Sequence, residues 1–165
     1  MEKLYAPWRS KYVASTNKGS ACPLCLSLSH EDDEKRYVIK RYKHVFVMLN
    51  VYPYNAGHLL VIPFEHQGSL TDLTPGARAE LIEVMALCER VLKQELKTDG
   101  INMGLNIGGL SAGGTIPEHL HMHVLPRFYG DTNFLPLLSS TKQIALDLNA
   151  MYQQLKKALD AKRVT

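Results

Sequence analysis

The chain has 165 residues, 45% of them hydrophobic and 21% charged, which suits a single domain with one sizeable core and excludes a disordered or disulfide-stapled chain. Nineteen basic residues against sixteen acidic ones leave a formal charge of +3 without any dense Lys/Arg block, so a nucleic acid polymer is a poor partner. Met1 to Val13 carries Glu2, Lys3, Arg9 and Lys11 and no apolar run, and no stretch reaches the ~18 apolar residues of a spanning helix. A cytoplasmic protein with no membrane segment is the expectation.

In chain order, the first feature is Cys22-Pro-Leu-Cys25, which with Cys88 makes an odd cysteine count and argues against a disulfide framework. The spacing is one at which two thiolates grip a zinc ion, although two small core residues would look the same. A polar stretch from His30 to Arg36 reads as a solvated turn. Tyr37–Tyr42, His44–Leu49 and Leu59–Ile62 are β-rich runs, the third opened by Ala56-Gly57 and closed by Pro63, and they predict antiparallel strands.

From Thr74-Pro75 onward Ala77, Leu81, Val84, Cys88, Val91 and Leu92 recur at helical spacing, with Glu80, Glu83, Arg90, Lys93 and Lys97 on the opposite face. This predicts one long helix, ended by Asp99-Gly100, with Cys88 in the core. Ile101–Ile107 reads as a strand, Gly108–Gly114 as a glycine-rich loop and His119–Leu125 as a strand stopped by Pro126. Ile144–Leu159 has a second helical period. Strands clustered around a few helices without βαβ alternation predict an α+β fold: an antiparallel sheet of about five strands, a long central helix and a C-terminal helix. The core spans about residues 37–127 of a single domain, 1–165, with the Cys-x-x-Cys segment before it and a helical extension behind.

Strict alternation in His119-Leu-His121-Met-His123-Val-Leu125 sends Leu120, Met122 and Val124 into the core. The three imidazoles then share one face, ~6–7 Å apart along an open surface. Imidazole is nucleophilic and still shuttles a proton near neutral pH, so this row suits covalent catalysis. Solvated surface histidines are the plain alternative. Spread over ~13 Å, the three cannot all ligate one ion, though one or two of them can. Just upstream, Asn106, Gly108-Gly109 and Gly113-Gly114-Thr115 offer an amide, backbone N–H groups and a hydroxyl that can cradle phosphate oxygens.

These segments resemble the histidine triad superfamily of nucleotide hydrolases and transferases. His119 to Leu125 is similar to its His-φ-His-φ-His-φ-φ signature, and Gly57-His58-Leu-Leu-Val-Ile-Pro63 to its other hallmark, within a likeness covering about Val45 to Arg127. Ala6-Pro-Trp-Arg9, Cys22-Pro-Leu-Cys25, Glu118 to His121 and Gly130 to Phe134 look like the branch that phosphorolyses diadenosine tetraphosphate. The resemblance implies that His121 attacks an α-phosphorus to form a nucleotidyl-imidazole, resolved by water or phosphate. His123 would serve the phosphate and leaving group, and His58 would orient the nucleophile.

By the same resemblance Asn106 contacts phosphate, Asn50 contacts ribose, and Gly113, Gly114 and Thr115 leave room for a phosphate acceptor. His66 and His119 would complete a structural zinc site with Cys22 and Cys25, which would make His119 structural rather than catalytic. The substrate implied is an adenine nucleotide or dinucleoside polyphosphate, bound by a homodimer whose sheets join edge to edge. An adenosine phosphoramidase and a nucleotide-binding regulatory protein without turnover are the alternatives.

Overall fold

A computed structural model describes residues 21–28, 32–112, 116–132, 138, 142 and 144–162. The expected contributors Gly113, Gly114 and Thr115 lie outside these residues, as do Ala6 to Arg9, His30, Asn133 and Phe134.

The first described element, α1 (Pro23–Leu28), carries Cys25 and follows Cys22. Three strands come next, β1 (Val38–Arg41), β2 (Val45–Leu49) and β3 (Leu59–Pro63), each paired antiparallel with its sequence neighbour. The long helix α2 (Pro75–Leu96) starts where Thr74 accepts a hydrogen bond from the Ala77 N–H at 3.3 Å with Pro75 in the first turn. It stops at Lys97, whose φ of 51° is left-handed, two residues before the predicted Asp99-Gly100.

Strand β4 (Gly100–Gly104) is shorter than its predicted range, and Gly109–Ala112 is a single 3-10 turn inside the glycine-rich loop. Strand β5 (Met122–Arg127) inserts between β3 and β4, giving the sheet order β1-β2-β3-β5-β4. The last helix, α3 (Leu148–Asp160), begins four residues later than the pattern from Ile144 predicts. Asp147 caps it, accepting from the N–H groups of Asn149 and Ala150. A five-stranded antiparallel sheet with one long and one C-terminal helix is the α+β arrangement expected from the sequence.

Alternation along the strands assigns the two faces. Val45, Val47, Leu49, Leu59, Val61, Met122 and Val124 join Leu81, Val84, Cys88, Val91 and Leu92 of α2 and Tyr152, Leu155 and Leu159 of α3 in the main core. The opposite face, with Phe46, Met48, Leu60 and Ile62, is closed by Leu24 of α1 and by Ile116. Strands β2 and β3 are consequently buried along their whole length. Cys88 is fully buried, as expected, and burial raises its thiol pKa to about 12.

Two details depart from the sequence reading. Glu80, predicted on the solvent face of α2, instead accepts from the N–H groups of Lys43 at 3.2 Å, His44, and Val45 at 3.0 Å. One carboxylate thereby satisfies a turn whose amides have no strand partner. Pro126, predicted to stop the last strand, pairs with Ile101 inside it. Its missing N–H leaves no ladder bond unmade because the pairing with β3 stops at the first residue of that strand, Leu59, opposite Val124, and the Pro126 carbonyl accepts from the Asn55 side chain at 3.1 Å.

Candidate active site and metal cluster

The site forms where the β2–β3 loop, the start of β5 and the end of β4 meet. Leu60 and Gly104 flank His123 in the sheet register, so His123 projects from the face opposite the main core, and Asn106 follows two residues beyond Gly104. His58 immediately precedes β3, and two turns fix it there. Its N–H donates to the Asn55 carbonyl at 3.2 Å, and its carbonyl accepts from Asn50 N–H at 2.9 Å, extending the β2–β3 ladder by one rung. Gly57 has φ of +78°, a backbone conformation that strains any L side chain, and a Cβ there would also push the Leu96 side chain aside.

His58 is fully buried, and its nitrogens have distinct tasks. Nδ1 accepts from the Tyr54 backbone N–H at 3.1 Å and lies 3.3 Å from the Asn50 amide nitrogen, which leaves Nε2 as the protonated nitrogen. Nε2 donates to His123 Nδ1 at 2.9 Å. Neutral His123 then carries its own proton on Nε2, a donor suited to phosphate oxygens. Burial, with smaller effects from His123 and His121, drives the His58 pKa down to about 3, so it stays neutral and keeps this polarity.

The orientation of His121 corrects one expectation in part. A backbone carbonyl, which the resemblance also implies, holds its far nitrogen: Nδ1 lies 2.9 Å from the His119 carbonyl, whereas His58 bonds to His123 and not to His121 directly. A carbonyl only accepts, so the proton sits on Nδ1 and Nε2 keeps the lone pair that a nucleophilic imidazole needs. The rings of His121 and His123 are 5.1 Å apart, as are those of His58 and His123.

A second correction concerns the open row of three imidazoles. Strand β5 starts only at Met122, and His119 and His121 are buried, 0% and 8% exposed. The approach to β5 is irregular because it is tied elsewhere: Leu120 N–H donates to the Gln67 carbonyl at 2.8 Å. Gly68 makes this possible, since a Cβ there would come within 2.6 Å of the Pro117 carbonyl oxygen. Leu120, Met122 and Val124 are buried as the alternation predicts, and of the three histidines only His123 lies on the strand, on its opposite face.

His119 turns away from the other two. Its Nδ1 lies 3.4 Å from the sulfurs of both Cys22 and Cys25, and the Cys25 sulfur lies 3.2 Å from Nδ1 of His66. All four ligand atoms fall within 4.8 Å of one another, a group that can hold one metal ion. Zinc bonded at ~2.3 Å to sulfur and ~2.0 Å to nitrogen in a tetrahedron sets S···N separations at ~3.5 Å, so the cluster has the right size. Its outer contacts fit as well: His119 Nε2 lies 2.8 Å from the Pro63 carbonyl, so the proton sits there and the metal-facing Nδ1 keeps its lone pair. Burial lowers the His119 pKa and raises that of Cys25.

Asn50, expected at a ribose, has its amide engaged within the loop: Oδ1 accepts from Tyr52 N–H at 2.9 Å, and Nδ2 reaches His58. Sequence reasoning missed two further groups. Buried Asn55 donates to Pro126 O and, at 2.9 Å, to Asp131, which forms a two-point ion pair with Arg127 that starts at 2.6 Å. Tyr54 lies against two of the imidazoles. The Tyr-Pro-Tyr-Asn run preceding Gly57-His58 was their only sequence signal, and no periodicity assigns such loop positions.

Comparison with known proteins follows the same lines. The model of the HIT domain matches residues 31–130. The chain is 39% identical over 151 residues to an AP-4-A phosphorylase of Mycobacterium tuberculosis, covering 87% of this chain and 77% of that protein. It is 32% identical over 92 residues to a bis(5'-adenosyl)-triphosphatase of Saccharomyces cerevisiae, covering 55% of this chain and 44% of that protein. Among solved structures, a zinc-bound histidine triad family protein from Mycobacterium smegmatis superposes with a TM-score of 0.68 at 28% identity, covering 86% of this chain and 95% of that one. With both signature segments and the sheet that carries them in place, the chain belongs to the HIT domain family.

Proposed function

We propose that the protein cleaves dinucleoside polyphosphates at the α-phosphate by way of a nucleotidyl-His121 intermediate, with inorganic phosphate as the preferred acceptor. The observation that carries this reading is the His121 Nδ1–H···O=C bond to His119, which presents Nε2 as a lone pair beside the His58–His123 pair. In the first step Nε2 bonds to the α-phosphorus, and the bridging P–O bond breaks with its electron pair on the departing nucleotide. The Nε2–H of His123 is the donor available to the charge that develops there. In the second step an oxygen of phosphate bonds to the phosphorus, the P–N bond breaks, and His121 regains its lone pair. The names of the Mycobacterium tuberculosis and yeast relatives support the substrate class and divide on the acceptor.

The acceptor is decided by products. Diadenosine tetraphosphate with phosphate at millimolar concentration should give ADP plus ATP, whereas water as acceptor gives AMP plus ATP. AMP as the sole new monophosphate or diphosphate product under those conditions would replace phosphorolysis by hydrolysis, and no turnover of either kind would leave only a nucleotide-binding role. A phosphoramidase is the less favoured reading: that branch tends to carry an aspartate where Asn50 stands and a serine shortly before the histidines, where this chain has Ile116.

Two further parts belong to this reading. Zinc is the metal that two thiolates and two imidazoles favour, and bound at Cys22, Cys25, His66 and His119 it would tie α1 to the residues after β3 and before β5. His119 is then a ligand, and the nucleophile and its partners are His121, His123 and His58. A homodimer joined through β4 is the assembly proposed: β4 is one of the two edge strands of the sheet, and it leaves Asn102, Met103 and Gly104 exposed where β1 buries Val38 and Ile39. Analytical ultracentrifugation should give twice the 18.5 kDa chain mass, and a monomer at micromolar concentration would exclude it.

A further inference from the structure

The β2–β3 loop brings an aromatic ring to the site as well as a histidine. Tyr54, half-buried and four residues before His58, lies against both members of the imidazole pair. Its centroid is 4.8 Å from that of His58 at an interplanar angle of 46°, and 5.8 Å from that of His123 at 16°, close to parallel. Its backbone anchors it independently of the ring, through the N–H that donates to His58 Nδ1. Both nitrogens of His58 are engaged within the protein, so water is needed at neither, and the contact left to settle is the one on the ring faces.

We propose that the Tyr54 ring is a positioning element of the site, sealing the His58–His123 hydrogen bond from water and holding the two imidazoles in the arrangement that makes His123 an Nε2–H donor. The kinetic consequence rests on the catalytic reading above; the sealing itself does not. Water reaching His58 would compete with His123 for its proton and would solvate the imidazolium form. Among the described residues nothing else near His58 offsets this. The ionisable groups that act on it are His123 and His121 from the β5 side, both of which disfavour a second positive charge, and Asn50 and the Tyr54 backbone contribute only neutral dipoles. The phenol also limits rotation of His123, whose ring lies nearly parallel to it and offset, with centroids 5.8 Å apart.

The test compares wild type, Tyr54→Phe and Tyr54→Ala by imidazole nitrogen NMR across a pH titration, with kcat and KM for diadenosine tetraphosphate measured over the same range. In wild type and Tyr54→Phe the His58 ring should stay neutral, protonated on Nε2, to below about pH 5. In Tyr54→Ala its titration midpoint should rise by about two pH units, and the acid limb of kcat should move up with it while KM changes less than about threefold. An unshifted His58 in Tyr54→Ala overturns the proposal. So does Tyr54→Phe behaving like Tyr54→Ala, since the hydroxyl and not the ring would then be acting.

Wild-type protein alone supplies a further check independent of how the variants fold. The sealed Nε2 proton of His58 should give an observable, slowly exchanging resonance near neutral pH, and its loss to fast exchange with water would refute the seal. None of the NMR readouts requires substrate, so an enzyme inactive on dinucleoside polyphosphates would sink the catalytic reading and leave this one standing.

Discussion

His121→Ala should lower turnover of diadenosine tetraphosphate at least ~10³-fold, because it deletes the atom on which the covalent step takes place; this corresponds to ~4 kcal/mol of transition-state stabilisation. Binding should change much less, since the sheet, His123 and Asn106 remain. The substitution is not structurally silent, however. His121 is only 8% exposed and donates to the His119 carbonyl, so alanine leaves a buried acceptor without its donor, at a cost of ~1–2 kcal/mol. Denaturation will therefore show a slightly less stable but folded variant, and rates must be compared well below its Tm. Retention of more than a tenth of the wild-type rate would exclude His121 as nucleophile. When wild-type enzyme turning over labelled substrate is quenched in alkaline denaturant, which preserves a P–N bond, the label should stay on protein, and in the variant it should not.

The second large effect is expected at the Cys22, Cys25, His66 and His119 cluster. Protein purified without chelator should carry about one zinc per chain. Cys25→Ser should lose it and lower Tm by roughly 5–10 °C, since the free energy of metal binding adds to that of folding. The connection of this cluster to the site gives a further consequence. His119 faces the two cysteine sulfurs with its ring and accepts from His121 with its carbonyl, so one residue belongs to both constellations. Removing the metal frees the His119 ring, and with it the carbonyl that orients the nucleophile. Cys25→Ser should therefore lower kcat more than it raises KM, at temperatures where circular dichroism reports a folded protein. A sample without zinc, with both thiols reduced and reactive, would return Cys22 and Cys25 to ordinary packing.

Sequence legibility followed the range of the interactions involved. Helix α2 was readable from Thr74 to Leu92 because its cap, its proline and its apolar stripe are local, whereas its carboxylate at Glu80 turned inward to meet amides 35 to 37 positions earlier, which no periodicity encodes. The β2 and β3 strands were readable from β-rich runs and turn residues. The limits of β5 were not, since they depend on where β3 ends and on the bond from Leu120 to Gln67. Cys-x-x-Cys by itself suited a metal pair and two small core residues equally; the approach of His66 and His119 to it depends on contacts across more than 40 residues.

Residue types and their order along the chain thus determined the α+β class, the central helix and the two histidine-bearing segments, because propensity, capping and alternation act within a few residues. The tertiary structure alone decided how those histidines divide the work. An alternating pattern presents His119, His121 and His123 as equals, and only the packed chain turns His119 to the thiols, binds His121 to a carbonyl and couples His123 to His58. The proton on each ring is set by whichever acceptor reaches it. That is a matter of a few tenths of an ångström between segments distant in sequence, where local pattern carries no information.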